Sequence, residues 1–274
     1  MGQPKRKEKD ESAAVTSGSE AKNVAASGSW SPAPRLSRAS LGAIIGVVVL
    51  MNLPLLHYYL VRSQMAATVA LPYADDYSRF ETVEQNYFST GGLWRTVNGE
   101  LLSPGVKNNP LWLKASLPQN VAVDFDVRSM SPEGDIKCEI FGDGSDHATG
   151  YVLVMGGWNN SVSIIARLDE HGPSLKSLRD EASRRGTADL VAAGLLAPGT
   201  RMRVEANPYP VTVGRVYHWH IERRGTLLSW FVDGQKFLEF DDPFPLAGAG
   251  HDRFAFSSWE SQLFFDNLKI EALR

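Results

Sequence analysis

The segment Val216 to Leu246, VYHWHIERRGTLLSWFVDGQKFLEFDDPFPL, restricts the backbone more than any other part of this chain. Two runs, SWFV and KFLEF, alternate apolar with polar or small residues and meet at Asp233-Gly234. That dipeptide readily takes the positive φ angles of a tight two-residue hairpin. Upstream, Tyr217, Trp219 and Ile221 alternate with His218, His220 and Glu222, and Arg224-Gly225-Thr226 supplies a second turn. The spacing predicts three consecutive antiparallel strands.

The same pattern recurs from Tyr73 to the end. GLWRTVNGELL carries an Asn98-Gly99 turn; PLWLKA, NVAVDFDVRSM, IKCEIFGDG, YVLVMGG, SVSIIARL and RMRVEA follow, and DRFAFSSWESQLFFDNLKIEAL adds two strands around Trp259 to Ser261. About a dozen short strands with turns every 8–12 residues predict an all-β, two-sheet antiparallel sandwich over 73–274. Residues 172–198 break the pattern: Leu175, Leu178 and Ala182 stand near helical spacing, so a helical insertion is expected there.

Leu41 to Val61 is a different material. It is about twenty residues long, lacks Asp, Glu, Lys and Arg, and is long enough as a helix to cross roughly 30 Å of hydrocarbon. Asn52, Pro54 and His57 weaken the reading, whereas Tyr58 and Tyr59 fall where an interfacial aromatic belt sits. A cleaved signal peptide is the alternative, with SQMAATVALPYA supplying small residues, but forty residues make a long leading region for one. Arg35, Arg38, Lys22 and the KRK cluster precede the run and only Arg62 follows it closely. The expected layout is a disordered cytoplasmic tail (1–40), a transmembrane helix (41–61), a linker (62–72) and a sandwich (73–274) in the periplasm or outside the cell.

Charge and cysteine content narrow the chemistry. Residues 1–40 hold seven Lys and Arg against four Asp and Glu; the remaining residues hold 21 against 27. A mildly acidic body argues against nucleic acid as its partner. The single cysteine, Cys138, has no disulfide partner in the chain and reads as a packed strand residue. No phosphate-binding glycine loop, HExxH, paired CxxC or GxSxG is present.

Taken in order, W..VNGEL, VAVDFDVRS, W.I.R.G..L..FVDG and FDNLKI resemble the concanavalin A-like lectin/glucanase jelly rolls over about residues 75–274, especially their laminin-G-like and keto-disaccharide-hydrolase-like branch. The resemblance implies a jelly roll that binds or cleaves glycans on a curved sheet, or serves as a purely adhesive module. The ExDxxE strand motif of the glucanases is missing; in CEIFGDGSD, Glu139 and Asp143 are four apart, but Gly142 and Gly144 end the strand.

Several residue groups are candidate sites. Trp158 in GGWNNS and Trp259 in SSWES sit in polar, loop-like settings that suit stacking on a sugar ring, while Trp230 reads as core. Glu139, Asp143, Asp146 and His147 cluster at a strand end: Asp146 and His147 are candidate polar ligand contacts, and Glu139, Asp143 and His147 candidate acid/base groups, although turn chemistry explains the same residues. His218, His220 and Glu222 form one strand face without a nameable third metal ligand. Asp266 and Asn267 could hold a structural calcium, as acidic residues do in similar jelly rolls, or form a bulge. The expectation is a membrane-anchored module that binds a glycan or cell-envelope polymer without catalysis. Its alternatives are a glycoside hydrolase of the keto-disaccharide type and a structural subunit meeting a protein partner through 172–198.

Overall fold

The computed structural model describes residues 36–62, 66–207 and 209–274. The tail expected over 1–40 therefore lies outside the described residues except for its last five, and the side chains of Tyr58 and Tyr59 lie outside them too.

A helix spans Arg38–Arg62 and starts three residues before the apolar run. Ser37 opens it, accepting from the Ser40 amide at 3.0 Å. Asn52 bonds its own helix, Nδ2 to the Val48 carbonyl at 2.7 Å, which satisfies the side chain without a partner or water. Among the described residues this is the one helix long and apolar enough to cross a membrane, and none of its apolar span is buried in the protein.

The strands are β1 (Tyr73–Asp75), β2 (Tyr87–Ser89), β3 (Arg95–Val97), β4 (Glu100–Ser103), β5 (Leu111–Leu113), β6 (Val121–Ser129), β7 (Ile136–Gly142), β8 (Tyr151–Gly156), β9 (Val162–Arg167), β10 (Met202–Glu205), β11 (Tyr217–Arg224), β12 (Leu227–Val232), β13 (Gln235–Asp241), β14 (Arg253–Ser257) and β15 (Leu263–Ala272). They form two antiparallel sheets, making an all-β jelly-roll sandwich. One runs β13-β12-β11-β6-β15-β4-β3, with β1 also on β15; the other runs β10-β9-β8-β7-β14-β5-β2.

Turn chemistry behaves as the sequence predicts. Asn98 (φ 54°) and Gly99 (φ 81°) join β3 to β4, and Asp233 (φ 50°) and Gly234 (φ 76°) join β12 to β13. The two strands around Trp259 to Ser261 do not pair with each other: β14 lies beside β7 and β15 beside β6, so that segment crosses between the sheets.

The core lies between the sheets. Val121, Val123, Phe125 and Val127 of β6 face inward, with Tyr217, Trp219 and Ile221 of β11. Phe125 sits in an aromatic cluster, its ring centroid 5.3 Å from Trp219, 5.1 Å from Phe256 and 6.2 Å from Phe265. On β15 the inward residues are Leu263 and Phe265, then Leu268 and Ile270. One extra residue restores the phase, and it is the bulge at Asp266 and Asn267, where Asn267 takes φ 53°. The bulge expected for this dipeptide is thus formed.

The helix Leu175–Arg184 occupies the expected insertion, capped by Ser174, whose side chain accepts from the Ser177 amide. Its Leu178 and Ala182 are buried. Beyond the helix, Arg167 clamps the far end of the insertion. Its guanidinium donates to the carbonyls of Thr200 and Pro198, both at 2.6 Å, and to Asp242 at 2.7 Å, and it is fully buried.

Phe125→Ala should therefore cost about 3–5 kcal/mol, since it opens a cavity against four aromatic neighbours. Urea denaturation measures it; a loss under 1 kcal/mol would mean that the inter-sheet packing is not as described.

Candidate functional site

On most sandwiches the outward face of a sheet meets water, but every residue of β7 is buried. Ile136, Cys138 and Ile140 point into the core, so Lys137 and Glu139 point outward, and something must cover them. The cover is the loop 143–150. His147 Nδ1 lies 2.6 Å from Glu139 Oε1, and the Ala148 amide donates to Glu139 Oε2 at 2.8 Å. Ala148 also packs on Val152, Val154, Ile164 and Ala166, a small apolar cluster on the outward side of β8 and β9.

The charges continue as a chain. His147 Nε2 stands 3.2 Å from Glu170 Oε1, which is 2.9 Å from Lys137 Nζ. Lys137, 2% exposed, also donates to Asn108 Oδ1 at 2.8 Å and lies 3.8 Å from Asp135 Oδ1. Burial alone would lower the His147 pKa, but hydrogen bonds to Glu139 and Glu170 overcome it and hold the imidazole at about 9. Burial pushes Glu170 up, and His147 with Lys137 overcomes that to leave it at about 2. For Asp135 burial wins over Lys137, so its carboxyl lies above the usual range.

At one end this network opens into a cleft of about 350 Å³ lined by Lys137, Asp135 and Glu170 together with Trp158, Trp259, Glu133 and other residues. Trp158 is 40% exposed and Trp259 48%. Trp259 is placed by the buried charges: its amide donates to Asp135 Oδ2 at 2.7 Å, and its carbonyl accepts from the Lys107 amide at 2.7 Å.

Trp158 is placed at the expense of its backbone. Trp158, Asn159 and Asn160 are three consecutive non-glycine residues in the left-handed region, with φ of 50°, 57° and 60°. Each such residue costs roughly 1–2 kcal/mol relative to right-handed geometry. Asn160 locks the turn: its Nδ2 donates to the Val211 carbonyl at 2.7 Å and its Oδ1 accepts from the Val211 amide at 2.7 Å. The Trp158 ring meets His171 edge-on at 5.7 Å and carries the Arg203 guanidinium at 5.7 Å.

The structure thus brings Trp158 and Trp259 to one cleft and joins Glu139 to His147. It keeps Asp143 and Asp146 apart from that cleft. Asp143 Oδ1 accepts the amides of Ser145 at 2.7 Å and Asp146 at 2.8 Å, so it shapes the loop that carries His147. Glu139 is fully buried, and His147 reaches the cleft only through Glu170. Sequence reasoning missed Lys137, Asp135 and Glu170. Period two places Lys137 with Glu139 on the outward face, but no local signal marks Glu170, which arrives from the loop after β9.

The other candidates lie elsewhere. Trp230 is buried in the core, 4.3 Å from Trp219. On the outward face of the other sheet, His218 and His220 pair with carboxylates of β6: Nδ1 to Asp126 at 2.8 Å and to Asp124 at 2.7 Å. Asn267 donates to Asp126 at 2.9 Å, and its own amide donates to Asp266 at 2.7 Å. Among the described residues no group of three or more His, Cys, Asp or Glu is arranged to hold a metal ion.

The pair His147–Glu170 sets a pH window for stability. A histidine held at about 9 against an ordinary 6.5 stabilises the fold fully below pH 6.5 and loses that contribution as pH rises through 9. Glu170, lowered from 4.5 to about 2, contributes fully above pH 4.5 and loses it as pH falls through 2. Urea-unfolding free energies should decline by about 3 kcal/mol between pH 6.5 and 9.5. His147→Gln should flatten that decline; an unchanged slope would remove His147 as its source.

No protein-family model matches the chain, and no curated protein matches it. Among solved structures it is similar to the carbohydrate-binding module CBM66 from Bacillus subtilis, at 13% identity and a TM-score of 0.49, covering 68% of this chain and 96% of that one. It is also similar to a Bacillus subtilis protein of unknown function with a galectin-like fold, at 12% identity and a TM-score of 0.44, covering 73% of this chain and 94% of that one. The alginate lyase AlyC3 follows at 12% identity and a TM-score of 0.39, covering 64% of this chain and 76% of that one. At such values the sandwich rests on its own strand pairing.

Proposed function

We propose that this protein is a membrane-anchored, extracytoplasmic module that binds a carbohydrate or cell-envelope polymer in the cleft between Trp158 and Trp259. The observation that carries the reading is the left-handed turn at Trp158. A bulky residue held half-exposed in strained backbone costs stability, and such strain collects where a side chain must be presented. Two partly exposed indoles beside buried polar groups suit a sugar, whose ring offers an apolar face and a hydroxyl edge.

A second reading, a glycoside-active enzyme, has one observation in its favour. Asp135 and Glu170 share the cleft, and their surroundings push their pKa values in opposite directions, as in an acid/base pair. Both carboxylates are already engaged, Asp135 with Lys137 and the Trp259 amide, Glu170 with Lys137 and His147. That favours a structural and recognition role for them. The anchor reading draws on the exposed apolar helix and on the cations preceding it, which favour a cytoplasmic N-terminus.

Glycan-array binding by the full chain in detergent should fall at least tenfold in Trp158→Ala and in Trp259→Ala, with no glycan shortened during incubation. Trp158→Gly should lose binding equally yet unfold within about 1 kcal/mol of the parent, because glycine relieves the left-handed strain. Unaltered binding in both alanine variants removes the cleft; product release abolished by Asp135→Asn establishes the enzyme instead.

Orientation is tested separately. Cys138 is fully buried, so a thiol introduced by Gln235→Cys at the exposed start of β13 is the reactive one. A membrane-impermeant maleimide should label it from outside the inner membrane of spheroplasts or intact cells. Labelling only after lysis would place the sandwich in the cytoplasm.

A further inference from the structure

The cleft offers a ligand carboxylates and withholds cations. Lys137 donates to Asn108 Oδ1 at 2.8 Å and to Glu170 Oε2 at 3.3 Å, lies 3.8 Å from Asp135 Oδ1, and is 2% exposed. Lys107, on the neighbouring loop, pairs with Glu260 at 3.5 Å, and Arg203, above Trp158, pairs with Glu205 at 2.7 Å. Among the described residues, each lysine and arginine at the cleft thus has a carboxylate partner.

The carboxylates are differently placed. Glu133 is exposed at the cleft and forms no ion pair among the described residues. Glu170, 6% exposed, lines the cleft, but its Oε1 is buried between Lys137 at 2.9 Å and His147 at 3.2 Å. Four carboxylates line the cleft (Glu133, Asp135, Glu170 and Glu260), and among or one contact behind the lining stand four cations (Lys107, Lys137, His147 and Arg203), each with a carboxylate partner, so that Glu133 is the charge left without one among the described residues.

We infer that the cleft selects saccharides bearing a free, protonated amine, of the glucosamine type, over N-acetylated and uronic acid sugars. The ring stacks on an indole while the ammonium is drawn to Glu133. An acetyl group removes that charge, and a uronate replaces it with one the cleft repels. The inference rests on the carbohydrate-binding reading and adds the chemical class to it.

The test measures affinities of the full chain in detergent for three probes, tetramers of glucosamine, N-acetylglucosamine and galacturonate, at near-neutral pH. The glucosamine tetramer should bind at least about tenfold tighter than the N-acetylated one, about 1.4 kcal/mol. Glu133→Gln, on an exposed loop, should cut that preference below threefold. Raising the salt to 0.5 M should shrink the preference likewise. Equal or tighter binding of the N-acetylated or uronate tetramer overturns the inference while sugar binding itself stands, as does a preference that ignores both Glu133→Gln and salt. Failure of all three tetramers, with no hit on the glycan array, overturns the binding reading along with it.

Discussion

Charges buried on the outward side of β7 must be mutually neutralised, and the geometry around the cleft follows from that requirement. Lys137 and Glu139 lie two apart on a strand covered on both faces, and an isolated ion in such a place loses several kcal/mol of hydration. Each therefore recruits a partner from a distant loop. Glu139 takes His147, Lys137 takes Glu170 and Asn108, and His147 also reaches Glu170. Asp135 completes the row and holds the Trp259 amide. Loops around residues 108, 147, 170 and 259 are thus fixed by a single set of ion pairs, and the cleft is the space they leave.

The turn at Trp158 is fixed by other means. Its left-handed residues are stabilised by contacts with segments remote in sequence: Asn160 bonds both polar atoms of the Val211 backbone, and its Nδ2 also reaches the Pro132 carbonyl at 3.2 Å. Gly134 lies so close that an added β-carbon would sit 2.6 Å from the Gly156 carbonyl and 2.8 Å from Asn160 Oδ1. This close packing and the bidentate Asn160 hold three strained residues in place. Both tryptophans are therefore presented on rigid supports, which reduces the entropy lost when a ligand orders the site.

What the sequence revealed divides along the same line. Period-two runs and the Asn98-Gly99 and Asp233-Gly234 turns are local signals, so strands and hairpins were legible from the chain alone. The bulge at Asn267 was legible from the dipeptide, and the change of inward phase from Phe265 to Leu268 shows it. Trp158 and Trp259 were legible as exposed because polar neighbours flank them, but nothing local says that loops a hundred residues apart converge. Lys137 was hidden by a sound rule applied where it fails. A charged residue alternating with Ile136 and Cys138 ordinarily meets water, and here Asn108 and Glu170 lie over it. Glu170 reaches Lys137 across 33 positions in the chain, a pairing set by tertiary structure.

The choice between binding and catalysis turns on what the cleft carboxylates have left to give. A general acid must carry a proton toward the substrate, and a general base must offer a free lone pair within hydrogen-bond reach. Asp135, with its raised pKa, spends Oδ2 on the Trp259 amide and Oδ1 on Lys137, so its protonation would loosen the loop that presents Trp259. Glu170 is held anionic at about 2 by two cations, a poor base at neutral pH. A group whose titration would dismantle its own site is better suited to shaping that site than to cycling protons through it. Glu133 at the rim, free of partners among the described residues, can change its contacts at no such cost, and under the proposed binding reading recognition at the cleft mouth falls to it.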